Sequence, residues 1–178
     1  GLLFEFEVPF FQKYGIDAEF VGHPLLDGLE TKYSKEEFCD QFNLNQEKPI
    51  LALLPGSRHQ EIENLLPTML QTARELQREN PQLQIAVSKA SSVDDELFSH
   101  LIKSETVITC STYDLMKHAS AAIVASGTAT LETALFETPF VIVYKVSPLS
   151  YFIGKNLVKI DSIGLVNGEM LLDLDFSE

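Results

Sequence analysis

The chain has 178 residues, 45% of them hydrophobic, which is enough for one domain with a real core. Lys and Arg total 13 against 26 Asp and Glu, a formal net charge of −13, and that balance argues against nucleic acid as a partner, because a phosphate backbone requires a positive field. A small anionic ligand needs only one local cluster of donors and is not excluded. Cys39 and Cys110 lack any regular spacing, and no signal peptide precedes them, so both read as reduced thiols of a cytoplasmic protein. No run approaches the roughly 18–20 apolar residues of a membrane span. The abrupt opening, "GLLFEFEVPFF", reads as the interior of a longer protein, and the chain is expected to be a fragment.

Phe4 and Phe6 alternate with Glu5 and Glu7, which predicts a short strand. A short helix from Pro9 to Tyr14 should follow, ended by Gly15. "AEFVGHPLLDG" is strand-like and closed by Gly22 and Pro24. Residues 27–48 are charged and helix-prone, with Ser34 as N-cap and Glu37 as its capping-box partner. Beyond Pro49 the chain alternates regularly. "ILALL" (50–54) is a strand of the buried type. Ile62, Leu65, Leu66, Met69, Leu70, Ala73 and Leu76 then form a helical stripe interrupted by Pro67. A short turn over 60–65, followed by a helix whose first position is Pro67, is preferred to one long kinked helix. "LQIAVS" (83–88) is the next strand. "SVDDELFSHLIKS" is a helix capped by Ser92, with Asp94, Asp95 and Glu96 in its first turn. "TVITC" (106–110), "AAIVAS" (121–126) and "FVIVYKV" (140–146) are strands, and "YDLMKHA", "TATLETALFE" and "LSYFIGKNLVK" are helices. Continuous apolar strands separated by helices predict an α/β fold: a Rossmann-like, doubly wound parallel sheet over about 49–165.

Ligands of such sheets bind beyond the carboxyl ends of the strands. Two turns there carry chemistry. In "LLPGSRHQEI", Gly56 lets the backbone approach a ligand, Ser57 is placed to cap the next turn with Gln60 at capping-box spacing, and Arg58 adds a guanidinium. Free N–H groups at a helix start plus an arginine make a seat for phosphate; an ordinary turn with a surface arginine has the same spacing. The Gly-Lys-Ser ending of a Walker loop is absent. In "SGTATLE", Ser126, Gly127 and Thr128 supply hydroxyls and bare backbone. Glu132 follows within two turns, where a carboxylate can accept both hydroxyls of a ribose. A first-turn acid beside small packing residues is the alternative. The two turns together suit a nucleoside diphosphate. His59, His100 and His118 have no metal-type spacing with the cysteines. Lys145, Lys155 and Lys159, near Tyr144, Tyr151 and Phe152, fit either a solvated face or a patch for a membrane or acyl chain.

"FVGHPLLD", "LLPGSRHQEI", "ASGTATLETAL" and "PFVIVYK", in that order and spacing, resemble lipid-A-disaccharide synthase from about Phe6 to Asn167. The resemblance implies half of a glycosyltransferase type B fold. Residues 1–27 would be the tail of an N-terminal domain and its linker, and residues 28–178 a C-terminally truncated UDP-sugar-binding domain. It implies an inverting hexosyl transfer from UDP-2,3-diacylglucosamine to 2,3-diacylglucosamine 1-phosphate (lipid X), forming lipid A disaccharide 1-phosphate and UDP, with no metal or cofactor. The setting implied is the cytoplasm, peripheral at the inner membrane of a Gram-negative-type bacterium. By the same resemblance Arg58 contacts the diphosphate or the acceptor phosphate, with Gly56 and Ser57 beside it, and acts as electrostatic stabiliser. Ser126, Gly127, Thr128 and Thr130 cradle the diphosphate, Glu132 holds the ribose, Asn167 lies near the donor sugar, and "CSTYDL" flanks the uracil. The general base is expected in an N-terminal domain outside this chain. Another UDP-sugar glycosyltransferase, a UDP-GlcNAc epimerase, or a non-catalytic nucleotide-binding module of the same fold is the alternative.

Overall fold

A computed structural model describes residues 1, 5–22, 25–102, 106–109 and 111–145. These fall into two compact units divided between Glu30 and Thr31. The first contains α1 (Glu7–Lys13) and the single turn α2 (Leu25–Gly28). Of the predicted strand, the described residues 5–7 are not extended: Glu5 and Phe6 lie in a turn that leads into α1 at Glu7. The two-residue alternation spans too few residues to compete with the helical spacing of Phe6, Phe10 and Tyr14. Pro9 sits in the first turn, where its missing N–H has no helical partner to lose. Gly15, at φ +71°, ends the helix as expected. Residues 18–22 form no strand beyond an isolated β-bridge at Phe20.

The second unit holds α3 (Lys35–Gln41), β1 (Ile50–Leu54), α4 (His59–Glu79), β2 (Gln84–Ser88), α5 (Asp95–Leu101), β3 (Val107–Thr109), α6 (Thr112–His118), β4 (Ala121–Ala125), α7 (Thr128–Leu135) and β5 (Phe140–Val143). All four strand pairings are parallel and the order is β3-β2-β1-β4-β5, a Rossmann-like sheet. The strands read as unbroken apolar runs because both faces are covered. On one face Leu51 and Leu53 pack with Ile62, Leu66 and Met69 of α4 and Phe98 of α5. On the other, Ile50, Ala52 and Leu54 pack with Phe38 of α3 and Leu115 and Met116 of α6. A leucine buried as fully as Leu53 or Leu66 contributes about 2–3 kcal/mol.

Three local expectations are corrected. α4 is one helix through Pro67, not a short turn followed by a helix starting at Pro67. Pro67 is exposed, so the carbonyl it strands at Glu63 faces solvent, while Ile62, Leu65, Leu66, Met69, Leu70 and Ala73 stay buried on one continuous stripe. The N-cap of α5 is Asp94, not Ser92, which leaves Asp95 and Glu96 as its first-turn acids. Ser57 does not cap α4; Arg58 holds that position and makes no capping bond. The box at Ser34 forms as read, its hydroxyl accepting from the Glu37 N–H while Glu37 accepts from the Ser34 N–H. The expected helix "LSYFIGKNLVK" lies outside the described residues.

Candidate functional site

The strand order reverses between β1 and β4, and at their carboxyl ends a cleft of about 420 Å³ opens. It is framed by the β1–α4 turn (Pro55 to Arg58) and the β4–α7 turn (Ser126 and Gly127), with Thr128 and Glu132 on α7. The sequence motifs are thus neighbours in space although 70 positions separate Gly56 from Ser126.

The two glycines reach the cleft by different physics. Gly56 has φ +101°, a conformation that side chains resist, and a Cβ there would run into the Glu61 carboxyl group. Gly127 has φ 163° and ψ −163°, extended backbone open to any residue, and a Cβ there would meet nothing within 4 Å. Its own chain does not require a glycine; the space over it is open.

Among the described residues no N-cap side chain bonds the first turn of α4 or α7, and in α7 the Thr130 N–H is taken by the Gly127 carbonyl at 3.1 Å, which leaves the earlier N–H groups of both helices without a side-chain acceptor. Arg58 is exposed and, among the described residues, has no ion-pair partner. These donors and the two helix dipoles favour an anion. The Ser126 N–H bonds the Val143 carbonyl at 2.9 Å, which fixes the turn to β5. Thr130 is not in the cleft wall. It is fully buried and its hydroxyl donates to the Gly127 carbonyl at 2.7 Å, so it shapes the turn instead of reaching a ligand. Asn167 lies outside the described residues.

Glu132 is partly buried. Its Oε1 accepts from the Tyr113 hydroxyl at 3.3 Å. Burial pushes its carboxyl above the ordinary glutamate value of 4.5, and the Tyr113 bond opposes the rise. Tyr113 is itself raised, by burial first and then by the Glu132 charge and hydrogen bond, so it stays a neutral donor. Thr112, next to it, lines the cleft and shares a 2.6 Å hydrogen bond with buried Ser88. Sequence reasoning reached "CSTYDL" only as a flanking loop and did not single out Ser88, Tyr113 or Glu61. Their roles come from packing between distant elements, and no local pattern marks them. Among the described residues no cluster of His, Cys, Asp and Glu could hold a metal, and no helix is long and apolar enough to cross a membrane.

Fold and cleft together define one Rossmann-like half of a glycosyltransferase type B-like architecture. In agreement, a solved chain, S. aureus MnaA in a co-structure with UDP, superimposes with a TM-score of 0.53 at 13% identity, covering 93% of this chain and 48% of that one. The family model for lipid-A-disaccharide synthetase matches residues 1–172, and the chain belongs to that family. It is 43% identical over 172 residues to lipid-A-disaccharide synthase of Syntrophus aciditrophicus (strain SB), 42% over 168 residues to that of Coxiella burnetii (strain Dugway 5J108-111), and 40% over 171 residues to that of Geobacter sulfurreducens. Each match covers 94% of this chain and 44–45% of the relative, so the chain spans less than half the length of these relatives. The family enzyme is a glycosyltransferase of lipid A biosynthesis.

Proposed function

We propose that this chain is the nucleotide-sugar-binding half of a lipid-A-disaccharide synthase. The observation that carries the reading is the pair of uncapped helix starts at the sheet's switch point, one with an arginine that has no ion-pair partner among the described residues and the other with a carboxylate. The ligand would be UDP-2,3-diacylglucosamine. Its diphosphate would rest on the turns at Gly56, Ser57 and Arg58 and at Ser126, Gly127 and Thr128, with Thr130 holding the second turn in shape. The Glu132 carboxylate would accept from the ribose hydroxyls, and Asn167 would lie near the donor sugar. As the bond to the anomeric carbon breaks, charge builds on the departing UDP, and Arg58 with the two helix starts stabilises it. The acceptor would be 2,3-diacylglucosamine 1-phosphate, attacking with inversion after a general base outside this chain takes its proton. Residues 1–27 would be the tail of a preceding domain, and residues 28–178 would belong to the UDP-sugar-binding domain. The isolated chain would bind nucleotide without turning over, and the whole enzyme would work in the cytoplasm at the inner membrane surface.

Isothermal titration of UDP into the chain tests this; a folded protein that releases no heat over millimolar UDP overturns it. The glycines give a sharper check. Gly127→Ala is expected to leave the fold intact, with unfolding stability unchanged or up by less than about 1 kcal/mol, yet to weaken UDP at least about tenfold, because its methyl occupies open space above the turn. Gly56→Ala should instead destabilise the protein by about 1–3 kcal/mol through its backbone angle and the Glu61 contact. Equal UDP affinity for wild type and Gly127→Ala would remove the diphosphate from that turn.

Glu132 adds a pH dependence. Its folded-state pKa lies above the ordinary value, so the folded state binds the extra proton between the two values. Burial of the carboxylate therefore favours stability below that window and loses it as pH rises through it. Binding has the opposite sign, since only the ionised form accepts from both ribose hydroxyls. UDP affinity should hold steady at alkaline pH and fall as pH drops through a midpoint above 4.5, and Glu132→Gln should be stabler at neutral pH but bind UDP more weakly. Titrations from pH 8 to pH 5 with thermal melts at each pH check both signs.

A further inference from the structure

Glu132 lines the cleft and is held by a residue outside the cleft lining, Tyr113. Tyr113, in the first turn of α6, donates to Oε1 of Glu132, in the second turn of α7, at 3.3 Å. The Tyr113 ring is held in turn by Phe136, the C-cap of α7, with ring centroids 5.9 Å apart. One helix thus contacts both the ring and the hydroxyl of the tyrosine. Among the described residues no group donates to Oε2 of Glu132, the oxygen left for a ligand.

We propose that Tyr113 is a positioning residue of the nucleotide site, holding Glu132 by one oxygen so that the other faces the ribose hydroxyls. This rests on the reading of Glu132 as the ribose acceptor. A carboxylate at the end of a glutamate side chain has three rotatable bonds, and a donor on one oxygen removes most of that freedom before the ligand arrives. The bond also favours the charged form against burial, in a cleft where the net charge nearby is not positive. Arg58 and Glu61 line the facing turn, Tyr113 comes from α6, and β4 and β5, whose sequences are AAIVA and FVIV, contribute no titratable group. Tyr113 is therefore the neutral donor whose bond opposes the upward push of burial on Glu132.

Tyr113→Phe tests this while keeping the ring on Phe136. The first measurement needs no ligand: NMR titration of the Glu132 side-chain carboxyl carbon. Its midpoint should move further upward in Tyr113→Phe, by about half a pH unit; an unmoved midpoint overturns the proposal. The second compares UDP with 2′-deoxy-UDP by calorimetry. Tyr113→Phe should weaken UDP about 3–10-fold at pH 6 and less at pH 8, and should change 2′-deoxy-UDP much less. Equal losses for both nucleotides at both pH values would mean a merely structural ring and would overturn the proposal. If Glu132→Gln leaves UDP affinity unchanged while the NMR midpoint still responds to Tyr113, the ribose reading fails and the Tyr113–Glu132 coupling stands apart from it.

Discussion

Arg58→Ala should weaken UDP binding about 10–100-fold and leave the thermal midpoint unchanged. The magnitude is that of one charge-assisted contact to phosphate, about 1.5–3 kcal/mol. The unchanged stability follows from geometry: the side chain is exposed, pairs with no carboxylate among the described residues, and makes no capping bond at the helix start it occupies. Arg58→Ser separates the two roles better still. Serine is a preferred N-cap and its hydroxyl can accept from the first turn of α4, so stability should rise by about 0.5–1 kcal/mol while affinity falls. Calorimetric UDP titration beside chemical denaturation reads both. Loss of stability with unchanged affinity would make Arg58 an ordinary surface arginine.

That contrast shows what local sequence rules reveal and where they fail. Ser34 and Glu37 obey the capping rule and build the box that the sequence announces. At the switch point the rule is broken twice, since Arg58 and Gly127 stand where a capping side chain would satisfy the helix. Sequence reasoning put Ser57, the nearest capping residue, in the first gap and began the long helix at Pro67, whereas α4 starts at His59. β1, β2 and β4 were legible to within a residue because both faces of the sheet are covered there, and burial on both faces leaves an apolar run. Pro67 was misread because a proline breaks a helix on local grounds, whereas α4 is held by its buried stripe and leaves the proline in solvent. The motif turns were legible because a strand-to-helix turn with glycine carries its chemistry in adjacent letters. The Tyr113–Glu132 and Ser88–Thr112 pairs were not, since each joins residues 19 and 24 positions apart on separate elements.

Asp114 is the largest residue effect hidden in this way, and Asp114→Ala should destabilise the protein by about 2–4 kcal/mol. In sequence it is one more first-turn acid, like Asp95 of α5 or Glu36 of α3. In the fold it is only 2% exposed, and its Oδ1 accepts from the backbone N–H groups of both Lys32 and Tyr33 at 2.9 Å. Alanine would remove two charge-assisted bonds and leave two donors without an acceptor. Asp114→Asn keeps an oxygen in place without the charge and should cost about 1 kcal/mol. The neighbouring bonds cannot substitute. Lys117 reaches the Thr31 hydroxyl at 3.1 Å in solvent, and Lys117→Ala should change stability by less than about 0.5 kcal/mol. Urea denaturation of the three variants orders them, and a Lys117 effect as large as that of Asp114 would refute the assignment. The consequence reaches the cleft through chain continuity. Asp114 directly follows Thr112 and Tyr113, so the acid that ties residues 32–33 to α6 also fixes the first turn of the helix that places Thr112 in the cleft lining and Tyr113 on Glu132.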